Sequence, residues 1–264
     1  MSKASRVVLF SDSYGLPILL RSIPEELIIG VVIASIRVLH DKIEIEAILK
    51  GTKIPIFVQP AFKEREVYND FVDYLAGHKP DLVICFSYSM LIRQEIFNLV
   101  DSRAYNIHYS LLPLNRGPNP IQWALIKGEE KTGITIHQMD TSIDTGPIVF
   151  QLPILIADED TWISVLEKLT VASKAFLKEK ISYLINQSVE LLKQDESMAT
   201  INVRLTPDSP LIDFNKMTDL EIYNLIRGQV KPLKGAYLIS DTNRVYINEF
   251  RNLTEVQNLR LKYE

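Results

Sequence analysis

The sequence predicts an α/β fold, a doubly wound and mostly parallel sheet followed by a small C-terminal α+β annex. Strand-like and helix-like segments alternate through the first two-thirds of the 264 residues, as in chains whose parallel strands are joined by helices. The composition, 47% hydrophobic and 23% charged, is that of a globular protein. The pattern changes near residue 200, so we expect one domain at residues 1–200 and the annex at residues 201–264.

The expected parallel strands are short apolar runs with many β-branched residues. In chain order they are Arg6–Phe10, Leu27–Ile36, Ile56–Val58, Leu82–Phe86 and Ala104–His108. The expected helices lie between these strands, at Gly15–Ser22, Glu64–Ala76 and Gln94–Val100. Pro17 is tolerated in the first helix because it falls within the first turn. The second helix carries apolar residues at helical spacing, namely Val67, Phe71, Val72 and Leu75.

The pattern after Gly133 predicts a hairpin, a long helix and the annex. Ile134–Met139 and Ile148–Leu155 are strand-like and lie close enough in the chain to form a hairpin. Trp162–Ile185 has the apolar spacing of a long amphipathic helix. The annex is expected to contain one helix and two strands, at Asp219–Arg227, Ala236–Ser240 and Arg244–Phe250.

Charge and cysteine content argue against several classes of protein. The 29 basic and 33 acidic residues give a net charge of −4, and no run of Lys or Arg forms the basic stripe typical of nucleic-acid-binding proteins. Cys85 is the only cysteine, so no intrachain disulfide forms, and the four His residues show no metal-ligand spacing. The longest apolar run, Leu27–Ile36, is far shorter than the ~20 residues of a membrane-spanning helix. We therefore expect a cytoplasmic protein with no metal and with neither nucleic acid nor membrane as a partner.

Polar residues at the end of the strand Ala104–His108 are the best candidates for chemistry. Asn106 and His108 are two residues apart, so they project from one face at the carboxyl end of the strand, where a doubly wound sheet binds its ligand. Asp144 follows on the connection between the hairpin strands. An amide donates to a developing oxyanion, an imidazole exchanges protons near neutral pH, and a carboxylate orients the imidazole. Together they predict acyl transfer without a covalent intermediate.

A histidine, a turn and an arginine elsewhere in the sequence are weaker indications of function. His137 lies among apolar neighbours on an expected hairpin strand, which favours a structural role. The turn at residues 11–15 offers backbone N–H groups to a phosphate, although it lacks the G-x-G-x-x-G pattern of a dinucleotide-binding loop. Arg116 lies in a proline-rich loop after His108 that is long enough to line a pocket.

Two stretches of the sequence resemble a known family. The segment NIHYSLLPLNRGPNPIQWAL, which begins at Asn106, and the segment TGITIHQMDTSIDTGPIVFQ, which begins at Thr132, are similar to the formyltransferases that use 10-formyltetrahydrofolate. The order and separation of the N-x-H-x-S-L-L-P and D-T-G motifs match the family's pattern. The resemblance extends from Arg6 to about Asn215 and implies a Rossmann-like catalytic domain that needs no metal.

The resemblance also implies roles for individual residues. It makes Asn106, His108 and Asp144 the catalytic set. The residues expected to contact the folate co-substrate are Phe86, Tyr88, Met90, Leu91, Ile92 and Asp140. The contacts with the acceptor are inferred from the residues themselves and not from the resemblance. They are Ser11, Asp12, Ser13, Tyr14, Arg116, Arg227 and Tyr237, the first four through a phosphate and the last two through a base.

Within this family the chain is most similar to the sugar-nucleotide N-formyltransferases. The annex is shorter than the second domain of methionyl-tRNA formyltransferases, and the place of their basic insertion holds Arg37, His40 and Lys42 among acidic residues. The resemblance implies a homodimer built partly through the annex. It also implies an acceptor such as dTDP-4-amino-4,6-dideoxyglucose, used for O-antigen and related surface glycans such as lipopolysaccharide. Methionyl-tRNA formyl transfer and a folate- or sugar-nucleotide-binding protein without turnover remain alternatives.

Overall fold

A computed structural model describes residues 5–186, 189–249 and 252–263 of the chain. Nine strands and eight α-helices lie within these ranges. The strands are β1 (Val7–Ser11), β2 (Ile28–Ala34), β3 (Ile56–Gln59), β4 (Leu82–Phe86), β5 (Ala104–His108), β6 (Lys131–Gln138), β7 (Ile148–Leu155), β8 (Ala236–Ser240) and β9 (Asn243–Ile247). The helices are α1 (Leu16–Leu20), α2 (Val38–Ile48), α3 (Arg65–Gly77), α4 (Gln94–Asn98), α5 (Pro120–Ile126), α6 (Trp162–Ile185), α7 (Asp219–Arg227) and α8 (Leu253–Tyr263).

The first seven strands form one sheet in the order β3-β2-β1-β4-β5-β6-β7. β1 pairs in parallel with both β2 and β4, and β2–β3 and β4–β5 are also parallel pairs. β6 runs antiparallel to β5. The predicted doubly wound, mostly parallel sheet is therefore confirmed. The strand order reverses between β1 and β4, and ligands of such sheets bind beyond the carboxyl ends of the strands at this switch point.

The chain divides into two compact units. Unit 1 comprises Met1–His108, Thr135–Gln151 and Ala172–Gln194, and unit 2 comprises Tyr109–Ile134, Leu152–Val171 and Asp195–Glu264. The expected annex thus belongs to a larger unit that also includes the proline-rich loop after His108. A functional domain boundary after residue 200 stays a prediction.

The core of unit 1 is built where α3 packs on buried strands. β1 and β4 are buried along their whole length, and α3 adds Tyr68, Phe71 and Leu75. Full burial of an apolar side chain of this size contributes ~1.5–3 kcal/mol. Val67 is 54% exposed, so its predicted place on the buried face is wrong. The helix presents the next residue, Tyr68, to the sheet instead.

Three helices were not predicted from the sequence, namely α2, α5 and α8. In α2, Ile45 is buried while Leu39 and Ile43 are exposed, so the helix has no single apolar stripe. α5 follows the proline-rich loop and is only seven residues long, too short for a periodic signal. The other predicted elements match to within a few residues. The expected last residue of the strand Arg244–Phe250 lies outside the described residues.

The annex has an apolar cluster of its own. α7 begins after Thr218, whose side chain accepts from the Glu221 N–H in a capping box. β8 and β9 form an antiparallel pair. The buried residues of the cluster are Ile212, Ile222, Leu225, Ile226, Ala236, Leu238, Ile247 and Val256. The predicted helix and two strands are thus present in residues 201–264, and a separate annex stays a prediction.

α6 is the longest helix, with 24 residues. Val165, Leu169 and Leu177 are buried, as its apolar spacing predicts. Across the described ranges, α6 included, no helix combines the length and the apolar character needed to cross a membrane.

Candidate active site

Asn106 and His137 face each other across the antiparallel strands β5 and β6. Directly opposite residues lie on the same face of a sheet, and so do residues two apart in one strand. His108 therefore shares this face with both, at the carboxyl end of β5. The imidazoles of His108 and His137 are both buried. The strands alone thus place one amide and two imidazoles side by side.

Asp144 adds a carboxylate to this face from the loop that follows β6. Its Oδ1 lies 3.3 Å from Asn106 Nδ2 and 3.3 Å from His137 Nε2. Its Oδ2 lies 3.6 Å from His108 Nδ1. The structure therefore brings together the three residues predicted as the catalytic set. It adds His137 as a fourth member that the sequence analysis had interpreted as structural.

The backbone around Asp144 is tightly held. Asp144 has a φ of +55°, in the left-handed region that Asp adopts more readily than most residues. A Cβ on Gly146 would lie 1.9 Å from the carbonyl oxygen of Gln138, so this position requires glycine. The buried side chain of Gln194 donates from Nε2 to the carbonyl oxygens of Asp144 and Gly146, at 2.8 and 2.7 Å. Gln194 was missed because it is a single polar residue without a periodic or motif signal.

Asp140 shapes the same loop. Both oxygens of its carboxylate accept from Thr145 Oγ1 at 2.8 Å, and Oδ1 also accepts from the Ser142 N–H at 3.0 Å. The side chain is exposed. Its contacts within the loop support the position of Asp144, and its predicted contact with folate stays a prediction.

The turn after β1 is closed by Asp12. Its Oδ1 accepts from the N–H groups of Tyr14 and Gly15 at 3.1 and 3.0 Å, and its Oδ2 accepts from Ser87 Oγ at 2.8 Å. Burial raises the pKa of this carboxyl, and the hydrogen bonds from Gly15 and Ser87 act in the opposite direction. Two N–H groups expected to meet a phosphate are thus bound to Asp12. Ser13 lies in the same turn, and Ser11 Oγ donates to the carbonyl oxygen of Phe86 at 2.9 Å.

The segment predicted to hold folate begins at the carboxyl end of β4 and is fixed by Gln59 at the end of β3. Gln59 Nε2 donates to the carbonyl oxygen of Leu91 at 3.0 Å, and its Oε1 accepts from the Tyr88 hydroxyl at 3.0 Å. Burial raises the pKa of Tyr88 well above its usual value, so this hydroxyl stays a donor. Phe86 is buried, Ile92 packs on the core, the Leu91 side chain is exposed, and Met90 Sδ accepts from Ser35 Oγ.

Cys85 lies in β4 beside Asn106 of β5. It is buried, and this burial raises the pKa of its thiol, so the side chain is a neutral core group, as predicted. In the part of the chain that the structure describes, no group of His, Cys, Asp and Glu side chains is arranged to hold a metal ion.

The three residues of unit 2 that were predicted to contact the acceptor are buried and bound to protein groups. Arg116 makes a bidentate ion pair with Glu196, at 2.9 and 2.8 Å. Arg227 Nη1 donates to the carbonyl oxygens of Ala157 and Asp158, at 3.0 and 3.1 Å, and its Nε donates to Asn224 Oδ1. The Tyr237 hydroxyl donates to the carbonyl oxygen of Asp208 at 3.3 Å. These contacts favour packing roles over the predicted contacts with the acceptor.

Comparison with known proteins identifies related chains. The model of the formyl transferase family matches residues 28–181. The bifunctional polymyxin resistance protein ArnA of Wigglesworthia glossinidia brevipalpis is 34% identical over 179 residues, which make up 67% of this chain and 27% of that protein. The match thus spans about a quarter of that relative's length.

Two solved structures share the fold. A 4-N formyltransferase from Francisella tularensis superposes with a TM-score of 0.76 at 20% identity, over 94% of this chain and 98% of that one. The N-formyltransferase of Helicobacter canadensis, solved with folinic acid and dTDP-3-aminofucose, gives a TM-score of 0.63 at 17% identity, over 92% and 86% of the two chains.

Proposed function

This chain belongs to the formyl transferase family, and from that premise we propose that it is an N-formyltransferase. In this proposal a formyl group passes from 10-formyltetrahydrofolate to the amine of a nucleotide-linked amino sugar. The observation that carries the proposal is the grouping of Asn106, His108 and Asp144 at the carboxyl end of β5. The activity of the Francisella protein and the ligands of the Helicobacter protein support the class of substrate.

The reaction follows from the chemistry of these side chains. The neutral sugar amine attacks the formyl carbon, which forms a new C–N bond and places negative charge on the formyl oxygen. Asn106 and His108 donate to this oxyanion, and one such donor is worth about 10²–10³ in rate. The bond from the formyl carbon to N10 of the folate then breaks. The amine has lost one proton and N10 gains one, so the products are a formamide and tetrahydrofolate.

Asp144 lies where it can accept a proton from the amine and pass it to the folate nitrogen. Its carboxylate reaches His108 on one oxygen and Asn106 and His137 on the other. A carboxylate beside an imidazole fixes the ring's orientation and stabilises the ring when it becomes charged. Asp144 therefore accepts the amine proton, through His108 or a water, and returns it to the folate nitrogen.

The finer assignments come from the sequence resemblance. We propose dTDP-4-amino-4,6-dideoxyglucose as the first acceptor to test, with a product used in O-antigen or related surface glycans such as lipopolysaccharide. We also propose a cytoplasmic homodimer that pairs partly through residues 201–264. The contacts of Phe86, Tyr88, Met90, Leu91, Ile92 and Asp140 with folate belong to the same proposal.

A mass-spectrometric screen tests the function. The protein is incubated with 10-formyltetrahydrofolate and dTDP- or UDP-linked amino sugars, and each product is examined for the gain of one formyl group. Asn106→Ala is the matched control, because it removes one oxyanion donor. Formyl gain on a nucleotide sugar, lost in the control, is the expected result. Formyl gain on no nucleotide sugar would contradict the proposal.

The same screen includes methionyl-tRNA, the acceptor of the alternative function. The chain has a net charge of −4 and no basic run, so we expect weak tRNA binding that depends little on salt. Tight binding that falls steeply with salt, together with formylation of the aminoacyl group, would replace the sugar nucleotide by tRNA as the acceptor.

A further inference from the structure

The amide of Asn106 is fully engaged within the protein. Its Nδ2 lies 3.1 Å from His137 Nε2 and 3.3 Å from Asp144 Oδ1. When His137 Nε2 carries no hydrogen, it and the carboxylate are two acceptors that face the two hydrogens of the carboxamide nitrogen. The proposed function needs an amide hydrogen for the formyl oxygen. In this orientation Nδ2 is directed at His137 and Asp144, and we infer that the amide turns before it donates to an oxyanion.

Turning the amide by half a rotation exchanges its two ends. The carboxamide oxygen then faces His137 and Asp144, and Nδ2 points away from them. An amide oxygen against a carboxylate brings two acceptors together, which is unfavourable unless a proton lies between them. His137 Nε2 is the atom placed to carry that proton, because it approaches both Asn106 and Asp144 Oδ1, at 3.1 and 3.3 Å.

The contact of His137 Nδ1 limits which nitrogens of the ring can carry a hydrogen. His137 Nδ1 lies 3.0 Å from the carbonyl oxygen of Gln138, which only accepts hydrogen bonds, so Nδ1 carries a hydrogen. A neutral ring then leaves Nε2 as an acceptor and holds the amide in the engaged orientation. A protonated ring donates from Nε2 as well. The ring is 2% exposed, so water is not at hand to take over either contact.

We propose that His137 is a positioning residue that selects which end of the Asn106 amide faces the substrate. With a proton on Nε2, His137 holds the carboxamide oxygen and leaves Nδ2 to donate to the formyl oxygen. The titratable groups near this ring are Asp144 from its loop, His108 from β5 and, next to Asp144, the neutral Cys85 thiol from β4. This inference rests on the proposed function, since it explains how Asn106 is prepared for that reaction.

Two substitutions separate positioning from packing. His137→Gln keeps an N–H donor at about the position of Nε2, and His137→Leu removes it. We expect His137→Gln to retain kcat within a few-fold of the parent. His137→Leu should lower kcat by about tenfold, the effect of one lost hydrogen bond, with KM for both substrates unchanged. Equal kcat values in the two variants, at matched melting temperatures, would overturn the proposal.

A double-mutant cycle shows whether His137 acts through Asn106. In the Asn106→Ala background there is no amide to orient, so His137→Leu should change kcat by less than twofold. A loss of about tenfold in that background as well would mean that the two residues act independently. The proposed role of His137 would then be wrong even though formyl transfer itself is intact.

A measurement without substrate tests the same idea. Nitrogen-15 NMR of the histidine-labelled protein, with His137→Gln for assignment, reports which ring nitrogens carry hydrogens. We expect to detect a hydrogen on Nε2 of His137 as well as the one on Nδ1. An Nε2 without hydrogen throughout the pH range of activity would overturn the proposal. This readout stands even if no formyl transfer is found, so the two failures are distinguishable.

Discussion

The side-chain amide of Gln194 holds the backbone of Asp144, because its Nε2 donates to the Asp144 carbonyl oxygen at 2.8 Å. The same nitrogen donates to the carbonyl oxygen of Gly146 at 2.7 Å. The loop that carries the acidic group of the site is thus fastened by a residue 50 positions further along the chain. The geometry of the site therefore depends on a contact far from the signature motifs.

Gln194→Met should show the value of this contact. Methionine has a similar length but no donor, so the carbonyl oxygens of Asp144 and Gly146 both lose this hydrogen bond. The loss costs ~1–3 kcal/mol at a buried carbonyl such as that of Gly146. We expect a lower melting temperature and a kcat reduced by about tenfold, since a small displacement of a catalytic group is costly. Gln94→Met is the matched control, because the Gln94 amide is exposed and donates to Asn98 of its own helix. Equal kcat in both variants would show that the Asp144 loop needs no such support.

Substitutions of His108 and Asp144 should separate stabilisation of the oxyanion from transfer of the proton. His108→Ala removes an oxyanion donor and should lower kcat by about 10²–10³. Asp144→Asn keeps the size of the side chain but cannot accept a proton, so we expect at least a hundredfold loss. Folate affinity should change little in either variant, because the residues predicted to hold folate lie elsewhere. Steady-state kinetics and folate titration check both points, and an Asp144→Asn rate within a few-fold of the parent would reduce Asp144 to a turn residue.

Gly146→Ala should disturb both stability and activity. The new Cβ would lie 1.9 Å from the Gln138 carbonyl oxygen, so the backbone of the loop must move. We expect a loss of ~1–3 kcal/mol in the free energy of unfolding, together with a clear loss of kcat. Gly77→Ala is the control: this helical position has open space around it and should gain ~0.5–1 kcal/mol. Urea unfolding measures the free energy of unfolding of both variants. An unchanged free energy in Gly146→Ala would contradict the close approach of Gly146 to the Gln138 carbonyl oxygen.

Asp160 should make the stability depend on pH. Its buried carboxylate accepts from Lys168 Nζ, from Ser164 Oγ at 2.8 Å and from the Ala157 N–H at 2.7 Å. Burial acts to raise the pKa of this carboxyl, but the hydrogen bonds outweigh burial and hold the pKa below its ordinary value of 3.8. The unfolded chain therefore takes up this proton at a higher pH than the folded protein does. The stabilisation by the Asp160 carboxylate is complete when the pH is above its ordinary pKa of 3.8. It is lost as the pH falls through the lower pKa of the folded protein.

Asp160→Asn is the test of that pH dependence. At pH 7 the variant should be less stable than the parent in urea, because Lys168 loses a charged partner. Below about pH 4 the difference between the two proteins should shrink, since the parent carboxyl becomes protonated. A difference that stays constant from pH 7 down to pH 3 would mean that the ionised carboxylate contributes nothing.

Part of this architecture could be predicted from sequence because local patterns determine it. The apolar runs of β1 and β4 are buried on both faces, and the two-residue spacing of Asn106 and His108 fixes their common face. The position of His137 could not be predicted in this way. Its place opposite Asn106 depends on the register between β5 and β6, which a single strand does not reveal.

Other residues depend on contacts that are distant in the chain. Arg227 carries a charge near a helix end, which usually means an exposed side chain. In the structure it is buried because Asn224 and two backbone carbonyls satisfy its donors. α2 was missed for a different reason: its exposed face carries Leu39 and Ile43, so the apolar residues do not mark one side of the helix.

The most direct test of the central claim compares two acceptors that differ only in the nucleotide. We expect the wild-type protein with 10-formyltetrahydrofolate to formylate dTDP-4-amino-4,6-dideoxyglucose with a far higher kcat/KM than the same sugar without nucleotide. Binding energy from the nucleotide holds the amine against the formyl carbon in the transition state. If kcat/KM for the free sugar comes within about tenfold, a difference of only ~1.4 kcal/mol, the nucleotide is not recognised and the proposed class of acceptor is wrong.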